Sequence, residues 1–190
     1  MSKIKGIFLV LAILISGCTT NQIHFSSYTD EGELKSLRDN QGVVSEIKIE
    51  IPAPCQRCGE RGNFVWHAAN YTGTNLYEGF FPIPMDNWND FISEALGSTE
   101  STKSETIVNL ERVFLKTWPN PEYYAANVNL VVTKNSISQK GEALIKIRGQ
   151  GQKLLSVDRV VLDDNSKKAI ALAIKAAYLD AYNKLQPSKS

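Results

Sequence analysis

The residues best suited to chemistry are Cys55 and Cys58, in the run Pro52-Ala53-Pro54-Cys55-Gln56-Arg57-Cys58-Gly59-Glu60-Arg61-Gly62. Three chemistries use such a pair. A redox pair sits at the start of a helix, where the N-terminus lowers the thiol pKa. Arg57 and Arg61 could stabilise a thiolate, but Gly59 and Gly62 start a helix poorly. A zinc site wants four ligands, usually as two pairs. Here there is one pair, with His67 the nearer of two histidines and His24 far upstream, so Cys₂His with an open position is the metal arrangement available. A c-type haem needs His directly after the second Cys, and Gly59 stands there. The third chemistry is a disulfide that fixes a loop; closing so short a loop stabilises by about 2 kcal/mol at most.

Other reactive types are easily assigned structural roles. His67 lies in an aromatic run, and the chain has no G-x-S-x-G elbow to supply a nucleophile. Asp163 and Asp164 precede a helical pattern and are read as caps. Asp86 and Asp90 fall in a first turn, where carboxylates suit the helix dipole. Aromatics are the more promising binding groups. Trp118, Tyr123 and Tyr124 crowd a predicted hairpin tip, and Phe80 and Phe81 lie in a second proline-bracketed loop. Tyr and Trp favour interfaces.

Which chemistry the cysteines perform depends on their compartment. Lys3 and Lys5 precede an apolar run from Ile7 to Ile15, too short for a stable membrane span and suited to a secretory leader. The run ends in Ile15-Ser16-Gly17-Cys18. This resembles the lipobox of bacterial lipoproteins. The resemblance implies that residues 1–17 are removed, that Cys18 receives a diacylglycerol, and that its new amine is acylated. Thr19, rather than Asp, implies sorting to the outer membrane, with the domain on the periplasmic side. In that oxidising space thiols are driven to disulfides. With Cys18 consumed by lipid, Cys55 and Cys58 are expected to pair with each other.

Charge and composition narrow the partners. The chain of 190 residues has a formal net charge of +1, and loss of Lys3 and Lys5 takes it to −1. A near-neutral chain offers no electrostatic case for nucleic acid. Its 43% hydrophobic and 22% charged residues are those of an ordinary globular domain. No cofactor is implied.

Residues 18–42 read as the lipidated cysteine and a polar tether, with a helical turn near Glu31–Arg38. Residues 43–186 read as one domain, and 187–190 as a tail. Val43 to Ile51 alternates like a half-buried strand, and Asn63 to Tyr71 is a second. Trp88, Phe91, Ile92, Ala95 and Leu96 form one helical face, capped by Asp86 and ended by Gly97. Thr106–Trp118, a strand on Ala126, Val128, Leu130 and Val132, and a strand on Ala143, Ile145 and Ile147 follow with short connectors, predicting an antiparallel meander. A polar turn over 133–142 joins the last two. An Ala-rich helix, capped by Asp164 or Asn165, carries Ile170, Ile174, Ala177, Ala181 and Leu185 on one face. The expected fold is α+β, an antiparallel sheet with two main helices on one face.

From Asp86 to Leu185 this order of elements resembles small periplasmic lipoproteins, the YajG-like family and the PqiC-like auxiliary lipoproteins of lipid transporters. The resemblance implies a scaffold that binds an envelope protein or lipid; the cysteine loop departs from it. The function expected is a non-enzymatic accessory subunit of an envelope or transport complex, held to the bilayer through Cys18. A small-ligand or lipid-binding module is the alternative. It would place a pocket between the sheet and the 86–97 helix, lined by Trp88, Phe91 and Phe114. A Cys-based redox or metal site is the third.

Overall fold

The computed structural model describes residues 27–40, 46–51, 66–72, 76–77, 81–83, 85–119, 122–149, 155–156, 159–160 and 162–186. Cys18, His24, Cys55, Cys58 and Phe80 lie outside them, as does the leader. The fold is α+β, as the sequence predicts.

Three long strands form the frame: β6 (Thr106–Pro119), β7 (Glu122–Lys134) and β8 (Ile137–Arg148). They pair antiparallel in chain order. Their alternation puts Val108, Leu110, Val113, Leu115, Val128, Leu130, Val132, Ile145 and Ile147 into one core. The register slips between Leu110 and Arg112, so Glu111 is an extra residue in β6. Such a bulge flips the alternation beyond it. Val113 and Leu115 therefore face the core, and Phe114 and Lys116 face the other side. Phe114 is buried, yet it stands outside the core cluster.

The sheet is mixed, where the sequence predicts a purely antiparallel one. β1 (Glu46–Glu50) and β2 (Trp66–Thr72) both run parallel to β6, on the edge away from β7. β1 lies beside Ile107–Asn109 and β2 beside Val113–Thr117. Short strands extend the sheet: β3 (Leu76–Tyr77) and β4 (Phe81–Pro82) beyond β2, and β5 (Thr99–Glu100) beyond β1. β9 (Leu155–Ser156) and β10 (Arg159–Val160) pair separately. The meander expectation holds for β6, β7 and β8 alone, because β1 and β2 return to β6 from outside it.

β7 and β8 are joined by Asn135 and Ser136, with φ of 51° and 65°. Positive φ at both central residues marks the two-residue turn that matches strand twist. The turn is thus far shorter than the polar run over 133–142. Ser138, Gln139 and Lys140 belong to β8 instead.

Three helices are described. α1 (Glu31–Asp39) is capped by Asp30, which accepts from the N–H groups of Gly32 and Glu33. α2 (Trp88–Leu96) is capped by Asn87, one residue after the predicted Asp86, and ends at Gly97 with φ of 62°. α3 (Asp164–Leu185) is capped by Asp163, one of the two aspartates read as caps from the sequence, and Asp164 opens its first turn. α3 packs over β7 and β8, and α1 and α2 pack against α3. Ala169, Ala173, Ala177 and Ala181 are fully buried at every fourth position, giving α3 a flat contact face. Gly141 of β8 completes that approach: a Cβ there would collide with the Ala177 carbonyl.

α1 corrects the expected tether over 18–42. Its Leu34 and Leu37 are buried in the common core, so the packed domain begins well before residue 43. Two leucines three apart in a polar stretch are enough to seat one short helix.

Candidate functional site

The side chains on the helix face of the sheet are committed to the core. Chemistry available to a partner therefore lies on the opposite face, in rows read across β6, β7 and β8. The register sets Lys116, Ala125 and Lys146 side by side, and Tyr123 opposite Arg148. The bulge at Glu111 is what sends Lys116 to this face.

Lys146 is only 8% exposed although charged. Its ammonium lies over the ring of Tyr123 at 4.3 Å and over that of Tyr28 at 4.6 Å. Arg148 stacks on the same Tyr28 at 4.7 Å. A desolvated cation over an aromatic face gains about 1–2 kcal/mol, which offsets part of its burial. Tyr28 is brought here by the chain just ahead of α1. The Thr29 N–H donates to the Lys146 carbonyl at 3.0 Å, and the Lys146 N–H donates to Thr29 Oγ1 at 2.9 Å. This strap covers the outer edge of β8 beside Lys146. Further along that edge the Glu142 N–H donates to Asp180 Oδ2 at 3.2 Å, and Lys184 donates to the Lys140 carbonyl at 3.0 Å. Covered edges resist pairing with another strand.

The electrostatics of the row are repulsive. Burial, and then the Lys146 charge, lower the Lys116 pKa below the usual lysine value. Burial lowers that of Lys146. The two lysines stand one alanine position apart in the row, close enough for the Lys146 charge to disfavour the charged form of Lys116. Among the described residues of this face, Glu50 pairs with Lys48 at 2.8 Å, Glu111 with Lys140 at 3.5 Å, and Glu142 accepts from Asn127 at 3.2 Å. Beside the strap lies an open depression of about 330 Å³, lined by Ser27, Tyr28, Thr29, Asp30, Glu33 and Leu144.

The residues singled out from sequence fare differently. Tyr123 and Tyr124 are adjacent but split by the sheet. Tyr123 frames Lys146, whereas Tyr124 is 3% exposed in the core, its hydroxyl donating to Asp163 Oδ2 at 2.7 Å. Trp118 stands opposite Tyr123 in the ladder, and Phe81 opposite Ala68. His67 takes a β2 position between Phe114 of β6 and Pro82 of β4. Cys18, Cys55, Cys58 and Phe80 lie outside the described residues. Trp88 and Phe91 pack against each other beside the core, at 6.0 Å between rings. Phe114 is on the other face of the sheet, so these three side chains do not line one pocket. The strap residue Tyr28 and the cations Lys116, Lys146 and Arg148 were not indicated by the sequence. Their sole signal is a lysine or arginine at alternate positions of an apolar strand.

Among the described residues no three His, Cys, Asp or Glu side chains gather as a metal site, and no helix is long and apolar enough to cross a membrane. No family model matches the chain, and no curated protein does. A crystal structure described as an uncharacterized protein is similar over 75% of this chain and 91% of its own, with 9% identity and a TM-score of 0.37.

Proposed function

We propose that this chain is a lipoprotein anchored to the outer membrane through Cys18, with its α+β domain in the periplasm. There it acts without catalysis, as an accessory or assembly subunit of an envelope or transport complex. The observation that carries this reading is the leader: Lys3 and Lys5, the apolar run from Ile7, then Ile15-Ser16-Gly17-Cys18. Acylation stabilises anchoring by about 0.8 kcal/mol per buried CH₂, so three chains would hold the protein permanently. Confinement to a surface raises the effective concentration of the domain for a partner in the same envelope. In the oxidising periplasm Cys55 and Cys58 close a local disulfide.

Ile137 and Leu144 are the large apolar residues most exposed among those described, at 59% and 41%. A photo-crosslinking residue at either position, in cells making the acylated protein, should give a discrete protein adduct. The same substitution with Cys18→Ser should lose it. Adducts that persist unchanged without Cys18 would overturn tethering as the mechanism.

A further inference from the structure

We infer that the gap in the outer edge of β8 at Leu144 takes an extended segment of an envelope protein, one that carries a lysine or arginine. This rests on the reading of the domain as a subunit that binds such a protein, and it names the surface and the chemistry of the contact.

The main chain is the first argument. β8 ends the sheet, so every second residue points its N–H and C=O groups away from β7. At Glu142 and Lys146 the outward N–H groups are taken, by Asp180 Oδ2 and Thr29 Oγ1. Leu144 stands midway between them and shares their direction. Among the described residues nothing bonds to its outward N–H or C=O. In antiparallel pairing one residue exchanges both bonds with the residue opposite. A single residue of an incoming strand therefore satisfies Leu144. Asp180 and the strap hold the next positions on either side, so the edge accepts a short crossing segment and not a long strand.

The depression is the second argument. About 330 Å³ lies open beside Leu144, between Ser27, Tyr28, Thr29, Asp30 and Glu33. The Leu144 side chain is 41% exposed there, an apolar contact on a strand whose other exposed residues are mostly polar.

Charge selects the segment. Asp30 and Glu33 are exposed, and neither enters an ion pair among the described residues. Asp30 Oδ1 caps α1, which leaves its second oxygen and the Glu33 carboxylate to a ligand. Lys146 and Arg148 lie against the Tyr28 ring, and no basic residue is among the described residues that line the depression. An acidic segment is repelled here. A basic one pairs with the carboxylates while its main chain pairs with Leu144.

The test uses the mature chain, residues 18–190 with Cys18→Ser, and a blocked peptide of alternating lysine and valine. Backbone amide signals are followed by NMR. The Leu144 amide should shift on titration, and its hydrogen exchange should slow. The peptide with glutamate in place of lysine should not bind, and the lysine peptide N-methylated throughout its backbone should lose the effect at Leu144. Glu33→Gln should weaken binding about threefold, the size of an exposed ion pair. Glu94→Gln removes an exposed carboxylate on α2 and should leave binding intact. No shift at Leu144, or equal binding by the glutamate or the N-methylated peptide, would overturn the proposal. So would a Leu144 shift that grows with protein concentration without peptide, which would make a second copy the occupant. No acyl group is present, so these outcomes do not depend on Cys18. Cys18-dependent adducts at Leu144 in cells, together with failed peptide binding, would sink the basic segment and leave the subunit reading standing.

Discussion

The Tyr124 hydroxyl donates to Asp163 Oδ2 at 2.7 Å, tying the central strand β7 to the first turn of α3. The other carboxylate oxygen of Asp163 accepts from the Ser166 N–H and hydroxyl, at 2.8 Å and 2.7 Å. One carboxylate thus caps the helix and satisfies a buried phenol. Tyr124→Phe should cost about 1–1.5 kcal/mol in chemical denaturation, since the carboxylate keeps its other partners. Asp163→Ala should cost about 2–3 kcal/mol, because it removes the cap and leaves the phenol buried without its acceptor. Equal losses would mean that the two bonds are not shared as described.

α3 approaches the sheet closely at Gly141. Gly141→Ala would drive a methyl into the Ala177 carbonyl, which is backbone and cannot rotate away. A destabilisation of about 2–3 kcal/mol is expected, read as a lower denaturation midpoint at unchanged slope. A neutral result would show that α3 rides higher on β8.

How much of this was legible in the sequence depends on whether the signal was local. Trp88–Leu96 and Asp164–Leu185 carry their own helical spacing, and both helices form where that spacing puts them. The irregular alternation of Thr106–Trp118 is the trace of the bulge at Glu111, which becomes visible only once β7 supplies the register. The parallel pairing of β1 and β2 with β6 leaves no mark, because strand alternation is the same for either direction. Likewise, nothing near Lys146 announces its burial. Two of the groups that cover and bind it, Tyr28 and Thr29, come from far along the chain.

Ser136 holds φ at 65°, a conformation that costs a residue with a Cβ roughly 1 kcal/mol. Ser136→Gly should raise stability by about 0.5–1 kcal/mol, as Asn-Gly is the preferred pair for this turn. Thermal unfolding would check it, and a lowered midpoint would contradict the turn assignment.

Asp180 gives a pH prediction. The hydrogen bond from Lys184 at 2.7 Å lowers its pKa, burial opposes this, and the Glu142 N–H and the Lys184 charge lower it further. The net shift is downward, so the unfolded chain takes up a proton there at higher pH than the folded one. The stabilisation is therefore complete above about pH 5 and fades as pH falls through the native pKa, below about 3.9. The pair is half-exposed, and Asp180→Asn should cost about 0.5 kcal/mol near neutrality. Its deficit should shrink toward pH 2. A deficit that stays constant with pH would contradict a charge-based contribution.

The intact mass of the protein purified from a bacterial envelope tests the central proposal most directly. The account predicts a chain that begins at Cys18 and exceeds residues 18–190 by a diacylglyceryl group and one further acyl chain. Cys18→Ser should accumulate as the uncut precursor. A free thiol at Cys18, or a mature N-terminus at any other residue, would contradict the account.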